Sequence, residues 1–250
     1  LAYLIVLVLV LALLVMLTDP EDAEADPTAE TSVRVLLHRM QTRRAGQLCG
    51  YFGVVAGSFF ALALWLPDYL SSQFDLSVDS GARLAQWFVI PGALAQILGG
   101  GFSDRFGSAR VVSRALMVCL MALFVLSYPP MTLFIQGVDA TIRVEFALPM
   151  QLEGVFVVTL GLAMGCTMGS LQRLVIVENR SVAAFVAGLL LVSACSVAFV
   201  LPVIFSSVNH WLGIRSAVFM ILFLLLVGCL FLFARESRRH EREHLLHPGI

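Results

Sequence analysis

Long apolar runs separated by short polar stretches dominate this chain. Seven of them, roughly residues 1–17, 46–67, 85–101, 111–128, 154–177, 182–207 and 212–234, are candidates to cross a bilayer. A helix rises ~1.5 Å per residue, so about 20 mostly apolar residues bridge the ~30 Å hydrocarbon layer. The run 1–17 falls short of that and reads as a clipped span. A closed barrel would need short segments of alternating polarity, and the pattern shows none. The expectation is an all-α fold, a polytopic membrane helix bundle.

The polar positions orient the spans. All sixteen basic residues are arginines. If 18–45 is cytoplasmic, that side also holds 102–110, 178–181 and the tail from 235. Thirteen arginines then lie at or near it: Arg34, Arg39, Arg43, Arg44, Arg105, Arg110, Arg114, Arg173, Arg180, Arg235, Arg238, Arg239 and Arg242. Arg83, Arg143 and Arg215 remain for the other side. The arginine excess marks the cytoplasmic face and predicts a cytoplasmic C-terminus.

Between the first two spans, residues 19–30 carry Asp19, Glu21, Asp22, Glu24, Asp26 and Glu30 with Pro20 and Pro27, a composition that builds no core. Ser32–Arg44 then places Val33, Leu36, Leu37 and Met40 on one helical face, opposite Arg34 and Arg43, as a helix lying on a membrane surface would. The organisation read from this is a span over 1–17, a cytoplasmic loop over 18–45, a six-helix bundle over 46–234 and a tail over 235–250. The start at Leu1, with no basic region before the apolar run and no small-residue cleavage site after it, reads as the later part of a longer chain.

Composition agrees with burial in lipid. Hydrophobic residues make up 59% and charged residues 13%, about half the charged share of a soluble domain, and mean hydropathy is +0.92. A net charge of -1 gives no field for nucleic acid. Cys49, Cys119, Cys166, Cys195 and Cys229 fall singly in apolar runs, which suits small buried side chains better than metal or disulfide chemistry. His240-Glu241-x-x-His244, with His247 beyond it, matches the spelling of a zinc-peptidase helix. It sits in a charged tail with no core to shape a cleft. No catalytic constellation is found, so the chain is expected to be neither an enzyme nor dependent on a metal or cofactor. A heptahelical light receptor would need a lysine for its Schiff base, and the chain has none.

One turn carries more information. Gly100-Gly-Phe-Ser-Asp104-Arg105-Phe-Gly107-Ser-Ala-Arg110 lies between two spans on the arginine-rich side. Gly100 is expected to let a helix end approach its neighbour, and Gly107 to permit a tight reversal at positive φ. Asp104 suits a neighbouring helix N-terminus, while Arg105 and Arg110 suit an anionic surface. The stretch resembles the G-x-x-x-D-R-x-G-x-x-R loop of the major facilitator superfamily. That likeness implies helix 6, the central loop and helices 7–12 of a transporter, with an N-terminal half missing. It also implies a cytoplasmic gate formed by Gly100, Asp104, Arg105, Gly107 and Arg110.

The stretch Phe52–Leu70, with Gly53, Trp65, Pro67 and Tyr69, is similar to helix 7 of the nitrate/nitrite porter family, whose pattern is F-G-G-F-x-x-F-x-L-W-L-P-x-Y-L. Ile90–Gly100 resembles its helix 8 and Met164–Gln172 its helix 10. The resemblance implies a bacterial inner-membrane permease for nitrate or nitrite, with Phe52, Gln96 and Gln172 as substrate-binding residues. Gln96 stands where the family has an anion-pairing arginine, and Leu48 where it has a tyrosine. Helix 11 keeps Gly188 and Phe199 but has Ala194, Val197 and Ala198 in place of the family's central glycines. Gln96 donates hydrogen bonds without supplying charge, although an anion inside the membrane needs donors and preferably a cation. A related permease for another small anion or an organic solute is therefore the alternative. No carboxylate lies near a span centre, which argues against proton symport through this half and leaves anion exchange or a proton relay in the missing half.

Overall fold

A computed structural model describes residues 42–128, 131–136, 141–146, 148–213 and 216–246. The predicted span over 1–17, the acidic stretch 19–30 and most of the predicted surface helix lie outside the described residues.

Six long helices account for nearly all of the described chain: α1 (Thr42–Gln73), α2 (Val78–Phe106), α3 (Ser108–Leu126), α4 (Met150–Glu178), α5 (Ala183–Leu212) and α6 (Ala217–Leu246). All six are long and apolar enough to cross a membrane. Each matches one predicted run, and most extend beyond it, because a helix continues through polar residues once nucleated. The change is largest in α6, whose last turns occupy much of the predicted tail. Pro67, Pro91 and Pro202 sit inside helices. Membrane helices tolerate this because neighbours and hydroxyl side chains satisfy the freed backbone groups.

The loop between α3 and α4 holds one departure from expectation. Met131–Gln136 (β1) and Thr141–Phe146 (β2) pair as an antiparallel hairpin, with Met131 opposite Phe146 and Gln136 opposite Thr141. Thr141-Ile-Arg-Val-Glu-Phe does alternate in polarity, so alternating segments are not absent from the chain. The pair closes no barrel and lies in an interhelical connection, leaving the helical class intact.

Helix packing explains the glycine usage. Gly161, Gly165 and Gly169 recur every four residues and form one smooth stripe on α4. A β-carbon built on Gly165 would lie 1.9 Å from the Gly92 carbonyl oxygen of α2, and one on Gly169 would lie 1.9 Å from that of Gln96. From the α2 side, a β-carbon on Gly99 would lie 2.3 Å from the Cys166 carbonyl oxygen. The two backbones touch. A second small-residue seam joins α1 to α5, where Gly53 faces Ser193 and Gly57 faces Val197.

Aromatic pairs fix α1 at the centre. Phe59 stacks on Phe88 of α2 at 4.8 Å, Trp65 meets Phe205 of α5, and Tyr51 and Tyr69 meet Phe233 and Phe219 of α6 edge-on. α1 and α4 are accordingly the most buried helices, whereas α2 and α5 keep much of their apolar surface exposed.

Replacing Gly165 by Ala forces a methyl group against a backbone carbonyl and should destabilise the bundle by about 1–3 kcal/mol. Gly154→Ala, where an added β-carbon meets nothing within 4 Å, should be neutral or slightly stabilising. Thermal melts of both variants of the full-length protein in detergent check this; equal melting temperatures would refute the close-contact account.

Candidate functional site

The α2–α4 seam carries polar chemistry on its edge. Gln96 Nε2 donates to Gln172 Oε1 at 3.1 Å, joining two positions 76 residues apart. Both side chains are half-buried. Two of the three predicted binding residues therefore meet. Register explains it: Gly169 rests on the Gln96 carbonyl and Ser170 Oγ donates to Gly99 O at 3.0 Å, so the next residues along each helix are drawn together. Each amide has two N–H donors and only one of the four is used in this bond, leaving donors for an anion. The pair lies on the arginine-rich side of both helix midpoints rather than at mid-depth.

Phe52, the third predicted residue, is buried on α1 at 8% exposure. It takes no part in the Gln96–Gln172 bond. Leu48, where the resembling family has a tyrosine, is also buried. On α5, Ser193 donates to Cys49 O at 3.0 Å. Val197 occupies the space that Gly57 leaves. The bulk that Val197 adds in place of a helix 11 glycine is thus accommodated by Gly57 of α1.

The predicted gate turn has the expected core with a changed division of labour. Gly107 ends α2 and begins α3 at φ +85°, a conformation that disfavours side chains. Asp104 does not cap a helix among the described residues; it pairs with Arg173 of α4. A β-carbon added at Gly100 would meet nothing within 4 Å, whereas one added at Gly99 would run into the Cys166 backbone. Arg105 and Arg110 are exposed at the same end.

Further contacts at that end were not legible from spacing. Arg44 Nη2 donates to Glu178 Oε1 at 2.8 Å, linking the starts of α1 and the connection to α5. Tyr51 donates to Glu236 Oε2 at 3.0 Å, and the Gln47 amide, oriented to satisfy its nitrogen, donates to Glu236 Oε1 at 2.9 Å. Asn179 is buried and donates to Val175 O before a 3-10 turn, Arg180–Val182, leads into α5. At the opposite end, Glu153 is 4% exposed in the first turn of α4, with Oε1 lacking a hydrogen-bond partner. It shares with Tyr69 and Gln73 a cavity of about 10 Å³, room for roughly one water. That residue lay just outside the predicted span, so hydropathy gave no hint of its burial. Among the described residues, no three His, Cys, Asp or Glu side chains come together as a metal site, and His247 lies outside them.

These features define a multi-pass integral membrane protein with polar amides at one helix seam and a charged turn at one end. Residues 1–202 match the model of the Major Facilitator Superfamily, and the chain belongs to that family of transporters, which are not enzymes. It is 29% identical over 176 residues to a probable nitrate/nitrite antiporter, NarK1, of Thermus thermophilus, covering 70% of this chain and 40% of that protein. It is 34% identical over 80 residues to a probable nitrate/nitrite transporter, NarK2, of Mycobacterium tuberculosis, covering 32% and 20%. The matched stretches therefore cover less than half the length of either relative.

The Asp104–Arg173 pair is half-exposed, so its static worth should be small, about 0–1 kcal/mol. If it acts as a gate, Asp104→Asn in the full-length protein should alter transport rate several-fold while leaving the melting temperature almost unchanged. Transport assays and melts side by side check this, and a rate equal to wild type would remove the gate role.

Proposed function

We propose that this chain is the helix 6 to helix 12 part of a nitrate/nitrite transporter working by alternating access, with 1–17 as the preceding span and 18–45 as the central loop. The six-helix bundle would rock against an N-terminal half around a site at the edge of the α2–α4 seam. The meeting of Gln96 with Gln172 is the observation that supports the reading most. It puts spare N–H donors, from two helices, beside a seam whose backbones cannot slide apart without losing contact. The likeness to two probable nitrate/nitrite transporters supports the choice of substrate. Phe52 would contribute as packing beneath the site rather than as a donor.

An anion held at this seam finds amide dipoles but no positive side chain in the Gln96–Gln172 pair. A monovalent, diffuse anion such as nitrate or nitrite suits neutral donors better than a compact divalent one, whose desolvation costs more. The remaining charge would come from the N-terminal half. The neutral, mutually bonded amides also favour, as a second reading, a related permease for another small anion or an organic solute. In either case the arginine-rich end faces the cytoplasm of a bacterial inner membrane, as does the C-terminus.

Gln96→Arg in the full-length protein, reconstituted in vesicles, should lower the KM for nitrate several-fold by adding a cation to the site. Unchanged or lost nitrate transport would speak against Gln96 as a substrate contact, and competition by other solutes but not nitrate would select the second reading. Membrane-impermeant thiol labelling of Ser108→Cys in whole cells should fail until the cells are opened; labelling from outside would reverse the orientation.

A further inference from the structure

Two cavities at the arginine-rich end share one residue. The first, about 530 Å³, opens among α1, α3, α4 and α6 and is lined by Arg44, Arg110, Arg114 and Ser113. The second, about 480 Å³, is almost wholly apolar, runs between α2, α3 and α4, and is walled by Leu98, Phe102, Val118 and Leu162. Arg114 lines both.

Charge in the first cavity is unbalanced. Arg44 is paired through Nη2 to Glu178, yet its Nε and Nη1 have no partner. Arg110 and Arg114 make no ion pair among the described residues, and the carboxylate in the lining, Glu236, is already held by Tyr51. The first turn of α3 ends here too. Its cap residue, Gly107, offers no side chain, so its free N–H groups add a partial positive charge beside Ala109 and Arg110. Arginine forks and a helix N-terminus together match phosphate oxygens.

The apolar cavity says where that phosphate comes from. Its walls include side chains that remain exposed, Leu98 at 56% and Phe102 at 45%. A free phosphate has no use for them, and a wholly apolar protein helix laid there would leave Arg114 at its rim without a counter-charge. An amphiphile satisfies both halves. We propose that an anionic phospholipid binds at this end of the bundle, its acyl chain in the α2–α3–α4 groove and its phosphate on Arg114, Arg110 and Arg44. Lipid there would brace α3 against α2 and α4 beside the Asp104–Arg173 turn, making bilayer composition a regulator of the turn's motion. The inference concerns binding and holds whichever solute is transported.

The test uses the full-length protein purified in detergent, with affinity for phosphatidylglycerol read by native mass spectrometry and by the shift in melting temperature. Phosphatidylglycerol should bind and stabilise, and phosphatidylcholine with the same acyl chains should do so at least several-fold less. Arg114→Gln, an exposed and unpaired position, should weaken phosphatidylglycerol binding about fivefold. Val118→Trp, which fills the groove, should weaken it without removing any charge. Arg83→Gln, at the opposite end, should change nothing. Equal loss in Arg83→Gln would mean a diffuse charge effect and overturn the proposal. Equal stabilisation by inorganic phosphate alone, or full binding in Val118→Trp, would reduce the site to a free-anion cavity and overturn it as well.

Discussion

Backbone contact between α2 and α4 is the constraint on which the rest of this bundle depends. In lipid, burying leucine against leucine gains little, because the surrounding chains are as apolar as the protein. Helices then hold together through close approach, and Gly92, Gly99, Gly161, Gly165 and Gly169 permit it. That contact sets the register that places Ser170 on the Gly99 carbonyl and Gln96 on Gln172. It also carries Asp104 and Arg173 to the same level at the helix ends. A slip by one residue would put side chains into the seam and separate all three pairs.

The two ends of the bundle are built differently. At the arginine-rich end, ion pairs and hydrogen bonds cross between helices: Arg44 to Glu178, Tyr51 to Glu236, Asp104 to Arg173. At the other end the described ion pair, Arg83 with Asp79, stays within one helix turn, and the buried Glu153 has an oxygen without a partner. A six-helix body that moves as a unit needs ties of the first kind, and a body that opens to water on one side needs polar groups able to exchange partners. The proposed transport cycle and the proposed lipid site both use the laced end, where each tie involves a side chain long enough to let go and reform.

The α1–α5 seam shows how a departure from a family pattern can be structurally neutral. Val197 and Ala194 stand where the resembling family has glycines. Close packing at Val197 survives because Gly57 of α1 leaves the space it occupies. What changes is the backbone exposed on α5, since a helix without those glycines offers fewer bare peptide groups to a small polar solute.

Hydropathy alone determined the six helices, their order and the arginine-rich end, because in a membrane every backbone group must be bonded within its own helix and charge must stay at the surface. The Gly107 reversal was legible for a similar reason: its requirement is local. Tertiary structure decided the remainder. That Gly99 rather than Gly100 makes the close contact, that Asp104 finds Arg173, that Phe52 turns into the bundle and that Glu153 is buried all depend on helix rotation and register. Apolar patterns barely specify rotation here, since lipid-facing and core-facing positions are equally greasy. The hairpin between α3 and α4 was missed because twelve paired residues between two long apolar runs look like an ordinary connection until their register is seen.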